Sequence, residues 1–305
     1  MTKFKLILTL AFRDLSKQKV RTFVGIFGVM ISIGLLSIVL FISDSISYTF
    51  IDYVSQDAGN QDMNITVRHY NGEPINRSDY FSYNSLISQV QDSTNKIDAF
   101  IPRMSVSGQM NISGKGDIPT RYEKYYSSLF ILGINFSLEK QHDFGQLIDA
   151  KSGNILDLEG LPLNQCLIHQ RYNNYFDYSE GDVLEMNMSL SLGKEKLIKP
   201  INLTINRIFD YELKFPEDFQ WRNFIVVDIK TLYNQFGRNF FKGKCNELIL
   251  AFEDNQIYDI RNIEASEEEV KDLAGEIQKA IGIREYNIKL PKLRLIVESN
   301  VINMV

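Results

Sequence analysis

The stretch Thr22–Ser43 reads TFVGIFGVMISIGLLSIVLFIS, twenty-two residues without a charge, closed by Arg21 on one side and Asp44 on the other. At about 1.5 Å of rise per residue such a helix reaches roughly 33 Å, enough to cross a hydrocarbon core of about 30 Å. A cleaved signal peptide is the competing reading. Its apolar region runs roughly 7–15 residues and ends at small residues, whereas this one is longer, and Phe41-Ile42-Ser43-Asp44-Ser45 is a poor cleavage site. The stretch therefore reads as an uncleaved transmembrane helix over 22–43.

The flanks orient it. Residues 1–43 hold Lys3, Lys5, Arg13, Lys17, Lys19 and Arg21 against Asp14, so a formal total of −5 leaves −10 on residues 44–305. Basic residues stay on the cytoplasmic side. The N-terminus is thus expected in the cytoplasm and the acidic body outside the cell membrane, where a nucleic acid partner is excluded by charge. Within 1–21, Phe4, Ile7, Leu8, Ala11, Phe12 and Leu15 recur at helical spacing opposite Lys5, Thr9, Arg13 and Lys17. That pattern reads as an amphipathic basic helix lying in the lipid bilayer surface, the alternative being a straight extension of the span. Gly25, Gly28 and Ser32 form a small-residue face that lets another helix approach.

With 44% hydrophobic and 23% charged residues, the rest is ordinary folded protein. Strand patterns run over Met63–Tyr70, Ile97–Ile112, Tyr122–Ile134, Gln165–His169, Asp182–Leu192, Ile201–Asp210, Asn223–Val227 and Glu247–Phe252; helical spacing runs over Tyr83–Val90. Ser266 and Glu269 read as a capping box opening a helix that carries Val270, Leu273, Ile277 and Ile281 and ends at Gly282. The class is α+β and strand-rich. Turn-rich breaks at Gly114–Thr120 and Phe215–Gln220 bracket an expected inserted subdomain, about 115–220.

Motifs for chemistry are missing. Gly108–Gly116 has one residue too many for a phosphate-binding loop and lacks Ser or Thr after Lys115. His69, His142 and His169 stand far apart and read as surface or boundary residues, not metal ligands. The carboxylates Glu267, Glu268 and Glu269 suit the positive end of a helix better than a metal. No G-x-S-x-G nucleophile turn occurs, and Cys166 and Cys245 leave a disulfide or two buried thiols both open. Sequons stand at Asn64, Asn76, Asn111, Asn135, Asn187 and Asn202. No catalytic, cofactor-binding or metal-binding residue is assigned, and the chain is read as no enzyme.

The segment Ala11–Thr22, AFRDLSKQKVRT, followed by GIFGVMISIG, resembles the leader and first span of ABC transporter permeases of the MacB, FtsX and LolC/LolE type. Leu132-Gly133-Ile134-Asn135, with Asn where that family often has Asp, and Glu180-Gly181-Asp182-Val183-Leu184 after a helix near Gln170–Tyr178 are similar to phrases of its extracytoplasmic core domain. The resemblance implies a MacB-like periplasmic core over 44–290, with a porter-like α+β part and the β-rich insertion. It also implies a homo- or heterodimer of permeases and a cytoplasmic ABC ATPase subunit whose ATP hydrolysis moves the outer domain. Lipid, peptide or an extracytoplasmic protein is the implied substrate or partner. Family members usually have four spans. Residues 291–305, whose Leu295–Val305 portion contains Glu298 and is too short to cross a bilayer, read as a connector toward a second span, from a longer permease or a truncated relative. A single-span receptor or adhesion protein with a ligand-binding α+β ectodomain is the other reading, and an anchored hydrolase a remote third.

Overall fold

The computed structural model describes residues 19–69, 78–112, 120–192, 195–253, 257–259 and 262–303. The amphipathic leader and the phrase Gly114–Thr120 fall almost wholly outside these residues. The chain divides into two units, 1–50 and 51–305.

Helix α1, Lys19–Ala58, supplies the first unit and the opening of the second. Within it Phe23–Ser43 is long and apolar enough to cross a membrane, with a mean hydropathy of 2.6 and no buried residue. Fifteen large apolar side chains between Phe23 and Ile42 are exposed. Each forfeits about 1.5–3 kcal/mol in water, so this surface belongs in lipid or against other helices. Ser32 Oγ donates to Gly28 O (2.9 Å), meeting its need for a hydrogen bond within its own helix.

The second unit follows in this order: β1 (Met63–Val67), β2 (Phe81–Ser82), α2 (Tyr83–Ser93), β3 (Ile97–Met110), α3 (Glu123–Ser127), β4 (Ser128–Ile134), α4 (Phe136–Gln141) and β5 (Gln146–Asp149). Next come β6 (Gln165–His169), α5 (Gln170–Asn173), β7 (Val183–Leu192), β8 (Glu195–Glu212), β9 (Phe224–Asp228), α6 (Ile229–Phe236), α7 (Arg238–Phe241), β10 (Lys244–Cys245), β11 (Glu247–Phe252), α8 (Ile263–Ile281), β12 (Tyr286–Lys289) and α9 (Pro291–Asn303). Ten strands form one mixed sheet in the order β12-β1-β11-β3-β4-β9-β6-β8-β5, with β7 bridging β3 and β8. The fold is α+β and strand-rich. The strands of the stretch read as an insertion hydrogen-bond into this same sheet through β4, β6 and β7.

Alternation explains the clearest strands. In β7, Leu184, Met186, Met188 and Leu190 point into the core while Glu185 and Asn187 point out, and the hairpin partner β8 repeats the pattern with Ile201, Leu203 and Ile205. On α6, Leu232, Tyr233 and Phe236 cover the sheet, with Asp228 capping the helix by accepting from Lys230 N (2.9 Å).

Two expectations need correction. The segment Tyr122–Ser127 is a turn and short helix, with the strand starting at Ser128. Helix α8 starts at Ile263, capped by Asn262, whose side chain accepts from Ala265 N. Ser266 is a buried helical residue whose hydroxyl accepts from Asp259 N (2.8 Å), so the expected capping box does not form. The helix does end at Gly282, at φ 103°.

Gly59, one residue past α1, has φ 66°, and a Cβ there would sit 2.3 Å from the carbonyl carbon of Phe215. Gly145, at φ 65°, meets the same segment, with Lys214 N 2.4 Å away. Two glycines thus let separate parts of the chain close on residues 213–216.

Candidate functional site

The antiparallel pair β1 and β12 decides how the chain enters and leaves the second unit. Asn64 lies opposite Lys289 and Val67 opposite Tyr286, so the start of β1 and the end of β12 meet at the same end of the sheet. The last turn of α1 precedes β1 and α9 follows β12. Both helices therefore attach at one place.

A groove of about 1220 Å³ opens there. Asp57 from α1, Arg294, Leu295 and Glu298 from α9, and Asn64, Thr66, Asn287 and Lys289 from the two strands line it. The segment Pro216–Phe219 and Arg222 complete the wall. Charges of both signs alternate around it. Arg294 Nε reaches Glu298 Oε1 (2.6 Å) along α9, His69 Nε2 lies 2.9 Å from Asp79 Oδ1, and Asn64 Nδ2 donates to Glu247.

Beneath the groove, a buried ion pair ties the two ends. Lys292 Nζ, in the first turn of α9, stands 3.6 Å from Asp62 Oδ1, and both side chains are almost wholly removed from solvent. Asp62 Oδ2 accepts from Phe252 N (2.8 Å), and the Tyr258 hydroxyl lies beside the same carboxyl. Burial pushes the Asp62 carboxyl above its ordinary range against the pull of Lys292 and the Phe252 N–H. The Lys292 ammonium also stands 4.8 Å from the centre of the Tyr258 ring.

A second buried ionic group lies deeper. Arg103 of β3 donates through Nε to Glu139 Oε1 (3.1 Å) and through Nη2 to Lys214 O (2.9 Å). Lys214 Nζ lies 2.7 Å from Glu139 Oε2 and donates to Phe144 O (3.1 Å). The Arg103 guanidinium is sandwiched near the Phe144 and Phe215 rings, 5.3 and 4.9 Å from their centres. Burial alone would raise the Glu139 carboxyl, but Arg103 and Lys214 outweigh it and hold it below the usual range. Three residues spaced over 111 positions thus fasten β3, α4 and the segment after β8.

The three histidines stay apart. His69 lines the groove and His142 lies 3.6 Å from Asp98, but His169 is a core residue, 3% exposed, correcting the surface or boundary reading. It stacks on Phe224 between Phe209 and Tyr211, and burial pushes its imidazole down to about 4 despite Asp210 at 3.7 Å. Cys166 and Cys245 are separate buried free thiols, and burial pushes the Cys166 thiol up to about 12. Of the acidic run, Glu269 pairs with Lys96 (2.7 Å) and Glu267 with Lys271. Among the described residues no group of three or more His, Cys, Asp or Glu gathers as a metal would need. Asn64, the first sequon, is 8% exposed within β1, and Asn135 caps α4, accepting from Leu138 N (3.4 Å). Asn76 lies outside the described residues.

No protein family and no curated protein matches the sequence. Among solved structures, the crystal structure of the periplasmic region of MacB from Actinobacillus actinomycetemcomitans is similar at 13% identity, over 81% of this chain and 95% of that one, with a TM-score of 0.38. That is a loose likeness. The chain joins one candidate membrane helix to a mixed α+β, sheet-rich unit whose first and last strands are neighbours.

Proposed function

We propose that this chain is the first membrane span and outer domain of an ABC-exporter-type permease, a non-catalytic part that a cytoplasmic ATPase subunit moves. One observation carries the reading: the outer unit enters and leaves through adjacent strands, Asn64 opposite Lys289, directly after an apolar helix and directly before another helix. A domain attached in this way is connected to a helix at each of two neighbouring chain ends. A pull on either connection is felt first at β1, β12 and the Asp62–Lys292 pair. The basic flank of the span orients the N-terminus inward and the domain outward.

The mixed charges of the groove beside these connections suit such a joint better than a reaction centre. His69 is bound by Asp79, and Ser105, one of two lining hydroxyl residues, accepts from Asn246 Nδ2 (3.2 Å). In this reading the permease forms a homo- or heterodimer in the bilayer, and lipid, peptide or an outer protein is what the domain handles.

Two measurements test it. A cysteine placed at exposed Ser152 should react in intact cells with a membrane-impermeant thiol reagent, while Cys166 and Cys245 stay silent. Purification of the full chain in mild detergent should bring with it an ATPase carrying a phosphate-binding loop. Labelling of Ser152→Cys only after cell lysis, or a preparation without any such ATPase, overturns the reading.

A further inference from the structure

A second groove, of about 730 Å³, crosses the open face of β3 and β4. We propose that it binds an acidic segment of a partner protein, one that presents carboxylates together with aromatic or aliphatic side chains. The inference builds on the reading of this unit as an outer domain that meets other molecules, and adds the chemistry of one of them.

Charge is the first ground. Arg121, Lys124, Lys196 and Arg222 line the groove and no carboxylate does, although residues 44–305 carry a formal −10. Among the described residues Arg121, Lys124 and Lys196 are in no ion pair; Arg222 is held by Asp218. The groove is therefore a cationic exception on an acidic domain, complementary to an acidic chain.

Its rings are the second ground. Trp221 is 64% exposed, Tyr125 58% and Phe130 45%, and all three face the same groove. Trp221 is already held in place: the Arg171 guanidinium lies 3.7 Å from its ring centre and donates to Gln220 O (3.0 Å). Rigid aromatic anchors beside arginine are the composition that dominates protein–protein binding energy.

The floor decides against a sugar polymer. Its amide groups and the Ser128 hydroxyl are occupied: Gln109 donates to Ser127, Ser128 Oγ donates to Gln109 Oε1 (3.2 Å), and Asn223 Nδ2 donates to Tyr125 O (2.9 Å) and Ser128 O (3.2 Å). A ligand rich in hydroxyls would find few partners there. What stays open is mainly cations and rings.

The chain contains a single tryptophan, and it stands in this groove, so its fluorescence reads occupancy directly. The full chain in nanodiscs of zwitterionic lipid is titrated with a random glutamate–tyrosine copolymer, with dextran sulfate and with single-stranded oligothymidine, exciting tryptophan selectively. The copolymer should change Trp221 emission saturably and more tightly than the other two. The double variant Lys124→Glu/Lys196→Glu, altered at two exposed sites, should bind it about tenfold more weakly with an unchanged melting temperature. No saturable change, equal binding by the variant, or tighter binding of dextran sulfate or the oligonucleotide overturns the inference. The ATPase co-purification is scored separately, so either reading can fail without the other.

Discussion

The two buried ionic groups of the outer unit differ in how closely their charges approach and in how strongly burial is offset. Arg103, Glu139 and Lys214 form a closed set whose contacts are all 3.5 Å or shorter, with the carbonyls of Lys214, Phe144 and Gly145 accepting further N–H groups of the two cations. Asp62 and Lys292 face each other at a longer 3.6 Å, and burial still pushes the Asp62 carboxyl up where Glu139 is held down. A buried charge set is stable to the extent that each member is neutralised and hydrogen-bonded. The first group therefore behaves as a weld inside the sheet, and the second as a latch at the place where the helices attach.

Removing the weld's anion is the severest way to test this contrast. Glu139→Gln leaves two cations facing each other in a dry interior, and is expected to cost about 3–5 kcal/mol. An apparent melting temperature in detergent should fall by about 10 °C; a fall of a degree or two would mean that the group is no weld.

Acid probes the aromatic wall that Arg103 shares through Phe215. Folded His169 takes a proton near pH 4 and the unfolded chain near 6.5, so between these values the unfolded state holds more protons and stability drops as pH falls. The loss approaches 3 kcal/mol at pH 4, at about 1.4 kcal/mol per unit. His169→Gln should flatten that part of the pH profile, and an unchanged slope would assign it to carboxylates instead.

Gly59 connects the two regions, because it rests on the backbone beside Lys214 and three residues before Asp62. Gly59→Ala adds a Cβ at positive φ against Phe215 and should cost about 2 kcal/mol. Hydrogen exchange should quicken in β1 more than in β4; a uniform change would refute a local effect.

The latch should yield most gently. Lys292→Met keeps the length of the side chain and leaves a carboxylate already disposed to hold a proton, so a loss of about 1–2 kcal/mol is expected. Adding Asp62→Asn should recover part of it. A loss as large as that of Glu139→Gln would erase the distinction between latch and weld.

The regular parts of this contrast were legible in the chain and its joints were not. Strands such as Gln165–His169 and Glu247–Phe252 stand where apolar runs and turn residues put them, because each strand has its own local signature. Short β2, β5 and β10 have too few residues to show a period. At Ser266 a local pattern misled, since the hydroxyl is engaged by Asp259 and Asn262 caps the helix. Arg103 and Lys214 looked like ordinary charges, because what buries them comes from partners 36 or more positions away. Trp221 and Arg171 meet across fifty positions in the same manner. Tertiary pairing of this kind leaves no mark on spacing.

The neighbouring ends of β1 and β12 have a practical meaning. A body whose incoming and outgoing strands are partners can be cut out as a cassette, its two cut ends stitched by a few residues, or moved into a loop of an unrelated host without stretching either. For this chain the seam lies at Asn64 and Lys289, and it marks where such a graft should be made.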